Sequence, residues 1–365
     1  MRQAAERWTW RITLAAGLCC GALWFAAKVP ALGRLLVVTP PFRGDLYENC
    51  PVADFGEDPP LPVEEPALPP PGPDMEVFWL GDSFSYVGYG HPSLLAHAAE
   101  VLPPAVGFGR LGDPSPLRWL DALDEPPPRL RLVVIASAER ALSQRWRPAH
   151  VLGPARGGNA AFDAMRRLRT HLFLDNDRQV RYLLSRLPGA WSWTGLLATA
   201  QYRLLGEVCG STTSFSDDPP MLFLPETLAP NTPESFFREH GDQEIADIAD
   251  HLAALREALR TRFGAELVVA IAPNKESLYH NLFTEVPYDH FVPRVNEALR
   301  ARGIPVADLF QALAAAAGRG ALVYRGGDTH WNEEGALLAA GALLPVLREA
   351  LAPVRKEVDT SAGVR

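Results

Sequence analysis

The stretch Val77-Phe-Trp-Leu-Gly-Asp-Ser-Phe-Ser-Tyr-Val-Gly88 runs four apolar residues straight into Gly81-Asp82-Ser83. Val77–Leu80 has no polar alternate, so it is a candidate buried strand of the kind found in parallel sheets. Ser83 then falls at the strand's carboxyl end, where open α/β sheets gather their active residues. Two readings of the stretch stay open. Ser83 is a nucleophile exposed at the sheet's edge, near helix N–H groups that stabilise an oxyanion. Alternatively, Asp82 or Ser83 merely caps a helix. Gly81 is expected to permit a tight turn that strains other residues.

Outward from this stretch, short apolar runs alternate with helical segments. Ala105–Phe108 is a second strand, and Arg129–Ser137 (RLRLVVIAS) is a continuous, β-branched-rich third. Glu266–Pro273 (ELVVAIAP) and Ile304–Asp308 (IPVAD) supply the fourth and fifth. Helices are expected at His91–Leu102, Asp242–Gly264, Val292–Arg302 and Glu333–Leu351. In the second of these, Ile245, Ile248, Ala249, Leu252, Leu255 and Leu259 share one face, and Gly264 ends the helix. Asn332 is a candidate N-cap for the last, with Glu333 and Glu334 in its first turn. The alternation predicts an α/β fold with a central parallel sheet of about five strands and right-handed crossovers.

The 365 residues carry a net charge of −8 and a pI near 5.6, so no basic field exists to attract nucleic acid. Arg2, Arg7 and Arg11 precede a charge-free run from Ile12 to Ala27 that Lys28 closes. The run is shorter than the ~20 residues of a full span, but Arg11 and Lys28 can snorkel and Trp8 and Trp10 can sit at the interface. An uncleaved membrane anchor is expected, with a cleaved signal peptide as the competing reading. The basic flank places everything after Lys28 outside the cytoplasm. Residues 1–30 thus read as a cytoplasmic tip and anchor, and 31–74 as an extracytoplasmic, proline-rich linker (Pro59–Pro73). Residues 75–353 read as the globular domain with a helical insertion at about 140–235, and 354–365 as a disordered tail.

Of four cysteines, Cys19 and Cys20 lie in the apolar run. Cys50 and Cys209 are a candidate disulfide in an oxidising compartment, or equally two unrelated thiols. No Cys/His cluster indicates a metal site, and no cofactor is expected.

The second chemical feature is Gly326–Gly335 (GGDTHWNEEG), with Asp328 and His330 two apart before the last helix. A serine needs a base to take its proton, and a carboxylate must orient that base. With Ser83 this makes a candidate catalytic set. His330 as a helix-start residue stacked on Trp331 is the structural alternative.

GDSFS near the start and DTHWN near the end, across an αβ pattern, resemble the SGNH (GDSL) hydrolase superfamily. The resemblance implies a flavodoxin-like three-layer α/β/α sandwich with a Ser83–His330–Asp328 triad. It also implies an oxyanion hole from Ser83 and a second-block glycine, Gly112 in GFGRLGD, with Gly109 behind it. The third block usually supplies asparagine; here it reads ASAERAL, which argues against a standard lipase or esterase. Four motifs (GDSFS, DTHW, VVIASAER, APNKESLY) are similar to those of the AlgX/AlgJ-type alginate and polysaccharide O-acetyltransferases. In those relatives the DxHW block precedes the serine block, whereas here the serine comes first.

This resemblance implies O-acetyl transfer to an extracytoplasmic polysaccharide through an acyl-serine. The acetyl donor would come from a membrane-bound O-acyltransferase, and the chain would be a single-pass protein of a bacterial inner membrane with its catalytic domain in the periplasm. An SGNH-type carbohydrate or peptidoglycan acetylesterase and a non-catalytic polysaccharide-binding assembly protein are the alternatives. Lys275, Tyr279, Trp331 and Arg140 are candidate substrate contacts. A surface lysine, a packing tyrosine and a structural Glu139–Arg140 ion pair are the plainer readings. Arg166, Arg167, Arg169, Arg178 and Arg181 decorate the insertion, by default as a solvated helix face.

Overall fold

The computed structural model describes residues 10–19, 21–22, 44–55, 70–85, 93–111, 115–146, 190–208, 215–230 and 232–352. The chain forms two compact units. One comprises Met1–Pro41, Cys50–Asp54 and Arg156–Cys209; the other comprises Phe42–Asn49, Phe55–Ala155 and Gly210–Arg365.

Among the described residues the second unit has seven strands: β1 (Val77–Gly81), β2 (Val106–Arg110), β3 (Leu132–Ala138), β4 (Phe215–Asp217), β5 (Pro220–Leu222), β6 (Glu266–Ala272) and β7 (Val306–Ala307). Five of them form one parallel sheet in the order β2-β1-β3-β6-β7. Counting the parallel strands alone, this is the doubly wound order 2-1-3-4-5, whose switch point lies between β1 and β3. β4 and β5 form a separate antiparallel hairpin.

All seven positions of β3 and all five of β1 are buried, so both faces of the sheet's centre are covered. That is why these runs lack polar alternation. Each fully buried Leu, Ile or Val here contributes roughly 1.5–3 kcal/mol. The expected β strands all appear at their places. Around the sheet, helices include, in chain order, α1 (Asp45–Asn49), α2 (Leu94–Ala98), α3 (Pro116–Asp121), α4 (Asp242–Phe263), α5 (Lys275–Tyr279), α6 (Phe291–Ala301), α7 (Leu309–Ala317) and α8 (Glu333–Leu351), with single-turn helices at Leu142–Arg145 and Pro225–Leu228. α4 packs on α6, while α8 packs on α7 and α2. α4 buries the six residues its periodicity assigned to one face, and Gly264 closes it in the left-handed conformation (φ 68°). Asn332 caps α8, its side chain accepting from Gly335 N at 2.9 Å.

Three expectations change and one element is new. The helix expected over His91–Leu102 is only Leu94–Ala98, capped by Ser93. Gly81 has no left-handed backbone; a Cβ there would instead collide with the Ser85 side chain, so the glycine serves space and not a turn. The β4–β5 hairpin was unforeseen, because strands of three residues are too short to show a period. The boundary at residue 75 also moves, since Phe42–Asn49 belongs to the sheet's unit and not to a linker.

In the first unit the helix Ala190–Leu205 exposes Leu196, Leu197, Leu204 and Leu205. The Arg203 guanidinium pairs with Asp54 at 3.1 Å, and Thr199 Oγ1 accepts from Ala53 N at 3.0 Å. Cys50 is disulfide-bonded. Cys209 lies outside the described residues, as do the insertion's five arginines and much of the expected anchor. No helix among the described residues is long and apolar enough to cross a membrane.

Candidate active site

The carboxyl ends of β1 and β3 are stitched together by Asp82. Its N–H donates to Ala136 O at 3.3 Å, and its carboxylate accepts from Ala138 N at 2.5 Å and from Phe84 N at 3.2 Å. The Arg145 guanidinium lies 3.7 Å from the same carboxylate. This closes a short turn that lifts Ser83 off the end of the sheet. Among the described residues the Ser83 N–H donates to no protein acceptor. It is available as an oxyanion donor. The first N–H groups of α2 are not, because Leu94 N and Leu95 N donate to Phe84 O and Ser85 O at 3.3 and 3.1 Å.

The opposing loop, Tyr324–Asn332, is held at many points. Arg325 N donates to His330 O, Asn332 N to Val323 O, Leu222 N to Gly326 O and Tyr47 N to Gly327 O. Within it Asp328 is fully buried and His330 nearly so. His330 Nδ1 lies 2.7 Å from Asp328 Oδ1, which also accepts from His330 N at 2.9 Å. His330 Nε2 lies 2.6 Å from Ser83 Oγ. Two segments 247 positions apart thus meet in a hydrogen-bonded serine–histidine–aspartate chain. Burial alone would lower the His330 pKa, but the Asp328 charge and hydrogen bond outweigh it and raise it above the ordinary 6.5.

Phe84 joins the two halves. Its ring centroid lies 4.8 Å from that of His330 and 4.7 Å from that of Trp331, and the Arg140 guanidinium sits 5.9 Å from it. Trp331 is buried edge-on against Phe84 and presents no open platform. Arg140 remains partly exposed beside His330, and its N–H donates to Asn274 Oδ1 at 3.3 Å.

Other expected residues have other surroundings. Lys275 is buried, its Nζ donating to Leu222 O at 3.0 Å and Gly326 O at 3.1 Å. Tyr279 is buried too; its hydroxyl donates to Ala321 O at 3.0 Å and accepts from Val323 N at 2.8 Å. Both act as struts under the Asp328–His330 loop and neither faces open solvent. Gly109 sits inside β2, where a Cβ would press on Leu80 and Phe78 at 3.0 Å, so it serves close packing. Gly112 lies outside the described residues.

Glu139 forms no ion pair with Arg140. Its buried carboxyl accepts from Asn274 N, Ser277 Oγ and Tyr288 Oη, each at 2.7 Å. Burial pushes its pKa up to about 7.

The residue that sequence reading missed is Asp45, on α1. Its carboxylate accepts from Thr329 N at 2.7 Å and from Thr329 Oγ1, and its N–H donates to Asp328 Oδ2 at 3.3 Å. Nothing in its local sequence marks it. Asp45, Asp328 and His330 offer ligand atoms within 4.8 Å of one another, yet both His330 nitrogens are engaged in the chain described above. A cation there would have to break that chain.

Residues 231–362 match the family model described as "SGNH hydrolase-like domain, acetyltransferase AlgX". That segment contains Lys275, Tyr279, Asp328 and His330; Ser83 lies outside it. Two solved structures are also similar. The lipase/acylhydrolase from Enterococcus faecalis has 12% identity and a TM-score of 0.34, with 75% of this chain and 96% of that chain covered. A second crystal structure has 11% identity and a TM-score of 0.30, with 76% and 99% covered. Neither likeness is close enough to carry weight. No curated protein matches.

Proposed function

We propose that this protein transfers an acetyl group, through acyl-Ser83, to a hydroxyl of an extracytoplasmic polysaccharide. The observation that carries the reading is the Ser83–His330–Asp328 chain at 2.6 and 2.7 Å. The family match over residues 231–362 supports acetyl transfer in particular. In the first half, Ser83 Oγ attacks the acetyl carbonyl while His330 Nε2 takes its proton. The Ser83 N–H binds the carbonyl oxygen as it becomes an oxyanion. His330 then protonates the leaving group, and the acetyl ester of Ser83 remains. In the second half, His330 takes the proton of the acceptor hydroxyl, whose oxygen attacks the ester. The Ser83 oxygen leaves and regains the proton. Asp328 stays ionised and stabilises the imidazolium in both halves. Arg140, partly exposed beside His330 and Phe84, contacts the substrate.

The disulfide at Cys50 supports an oxidising, extracytoplasmic setting. In this reading the N-terminal segment anchors the chain in the inner membrane, beside a membrane-bound O-acyltransferase that supplies the acetyl group. The test is to incubate the chain with an activated acetyl ester and neutral or acidic oligosaccharides. Acetylated sugar is the expected product. Ester turnover with acetate alone would replace the transferase reading with an acetylesterase, and no turnover at all would leave a binding or assembly role.

A further inference from the structure

The active-site turn is held by a second carboxylate that comes from far outside it. Asp45 lies on α1, in the short segment Phe42–Asn49 that joins the sheet's unit. Its carboxylate accepts both the N–H and the hydroxyl proton of Thr329, the residue between Asp328 and His330. Its own N–H occupies Asp328 Oδ2, leaving Asp328 Oδ1 to His330. Tyr47 N, two residues on, donates to Gly327 O at 2.9 Å, so α1 grips the turn from both ends. Asp45 Oδ2 stands 3.9 Å from His330 Nδ1. Its described partners are Asp328, Thr329 and His330, not Ser83.

We propose that Asp45 is a positioning residue for acyl transfer: it locks the Asp328-Thr329-His330 turn and adds a second negative charge behind the imidazole. The proposal rests on the reading of Ser83 as acyl carrier. A second carboxylate at this range favours the imidazolium, so it raises the pH at which His330 becomes a free base. Among the described residues, the charged groups facing His330 include Asp328 and Asp45, which favour its protonated form, and Arg140, which opposes it. Asp45 itself is pushed up to about 6 by burial and by the Asp328 charge. Above that pH it is ionised, and its full effect on His330 is present.

The test uses the full chain carrying Asp45→Asn, Asp45→Glu or Thr329→Val, with an activated acetyl ester as substrate and the acylation rate followed against pH. Asp45→Asn keeps the shape and removes the charge. It is expected to lower the plateau rate about 10–100-fold, the scale of losing a second-layer partner behind a metal-bound histidine. It is also expected to move the acid limb to lower pH by about half a unit to one unit, with KM for the ester little changed. Asp45→Glu should restore the limb. Thr329→Val should lower the plateau without moving the limb. A plain packing role would lower the rate equally at every pH, and an unmoved limb in Asp45→Asn overturns the proposal. The imidazole titration of His330, followed by NMR in a Ser83→Ala background, needs no turnover. A lower His330 pKa in Asp45→Asn shows the second charge acting on the imidazole and an unchanged one overturns the proposal; an unacylated Ser83 with a lowered His330 pKa would overturn the acyl-transfer reading and not the Asp45–His330 coupling.

Discussion

Ser83, Asp328 and His330 were legible because each belongs to a local pattern: a buried apolar run ending in a polar turn, and a carboxylate two residues from a histidine ahead of a capped helix. Asp45 was not, because 283 positions separate it from Asp328, whose carboxylate its N–H meets, and its own surroundings carry no periodicity. Phe84 explains why the serine motif continues as Phe-Ser. The phenyl ring fills the space between His330 and Trp331, and Ser85 packs where a Cβ on Gly81 would fall. Asp328 is placed to fix the tautomer of His330, with Nδ1 donating to it and Nε2 free to accept from Ser83. Asp328→Asn should therefore leave the fold intact and lower acylation by about 10^4-fold, as in other triads where the wrong tautomer results. The measurement is single-turnover acylation beside a circular dichroism spectrum. A loss under tenfold with the fold intact would mean the carboxylate does not orient the base.

Two elements around the site do structural work that sequence alone could not separate from substrate contact. α5 looked like a site because Lys275 and Tyr279 follow a strand, and residues after parallel strands are usually exposed. Here the helix lies under the Asp328–His330 loop, and both polar ends are consumed by backbone groups. Lys275→Met should leave two buried carbonyls, Leu222 O and Gly326 O, without this donor. At about 1–3 kcal/mol per buried unsatisfied group, thermal unfolding should shift down clearly while KM changes little. A raised KM at unchanged stability would return Lys275 to the substrate.

The turn after β3 holds the other buried carboxyl. Glu139 titrates near 4.5 when unfolded and at about 7 when folded. The unfolded chain thus loses its proton first. Stability at this site is greatest below about 4.5, falls as pH rises, and levels off above about 7, a change of roughly 3 kcal/mol. Glu139→Gln should flatten that part of the profile in thermal unfolding between those pH values. The same slope in variant and parent would place the titration elsewhere.

At the scale of the molecule, the parallel sheet was legible strand by strand, since burial on both faces erases alternation and leaves continuous apolar runs. The unit's true extent was not. Proline-rich sequence at Pro59–Pro73 suggests that everything before residue 75 stands apart, yet Phe42–Asn49 belongs with the sheet and brings Asp45 and Tyr47 to the Asp328–His330 loop. A chain starting at residue 75 is therefore expected to acylate more slowly and unfold at lower temperature than the full chain. Equal rates and equal unfolding temperatures would show that the segment adds nothing. The claim on which the rest depends is that Ser83 carries the acyl group. Exposing the full chain and its Ser83→Ala variant to an activated acetyl ester, quenching early and mapping the adduct by mass spectrometry tests it most directly. The account predicts a single acetyl group on Ser83 in the parent chain, and none at that site or turned over in the variant. An unmodified Ser83, or equal turnover by Ser83→Ala, would contradict it.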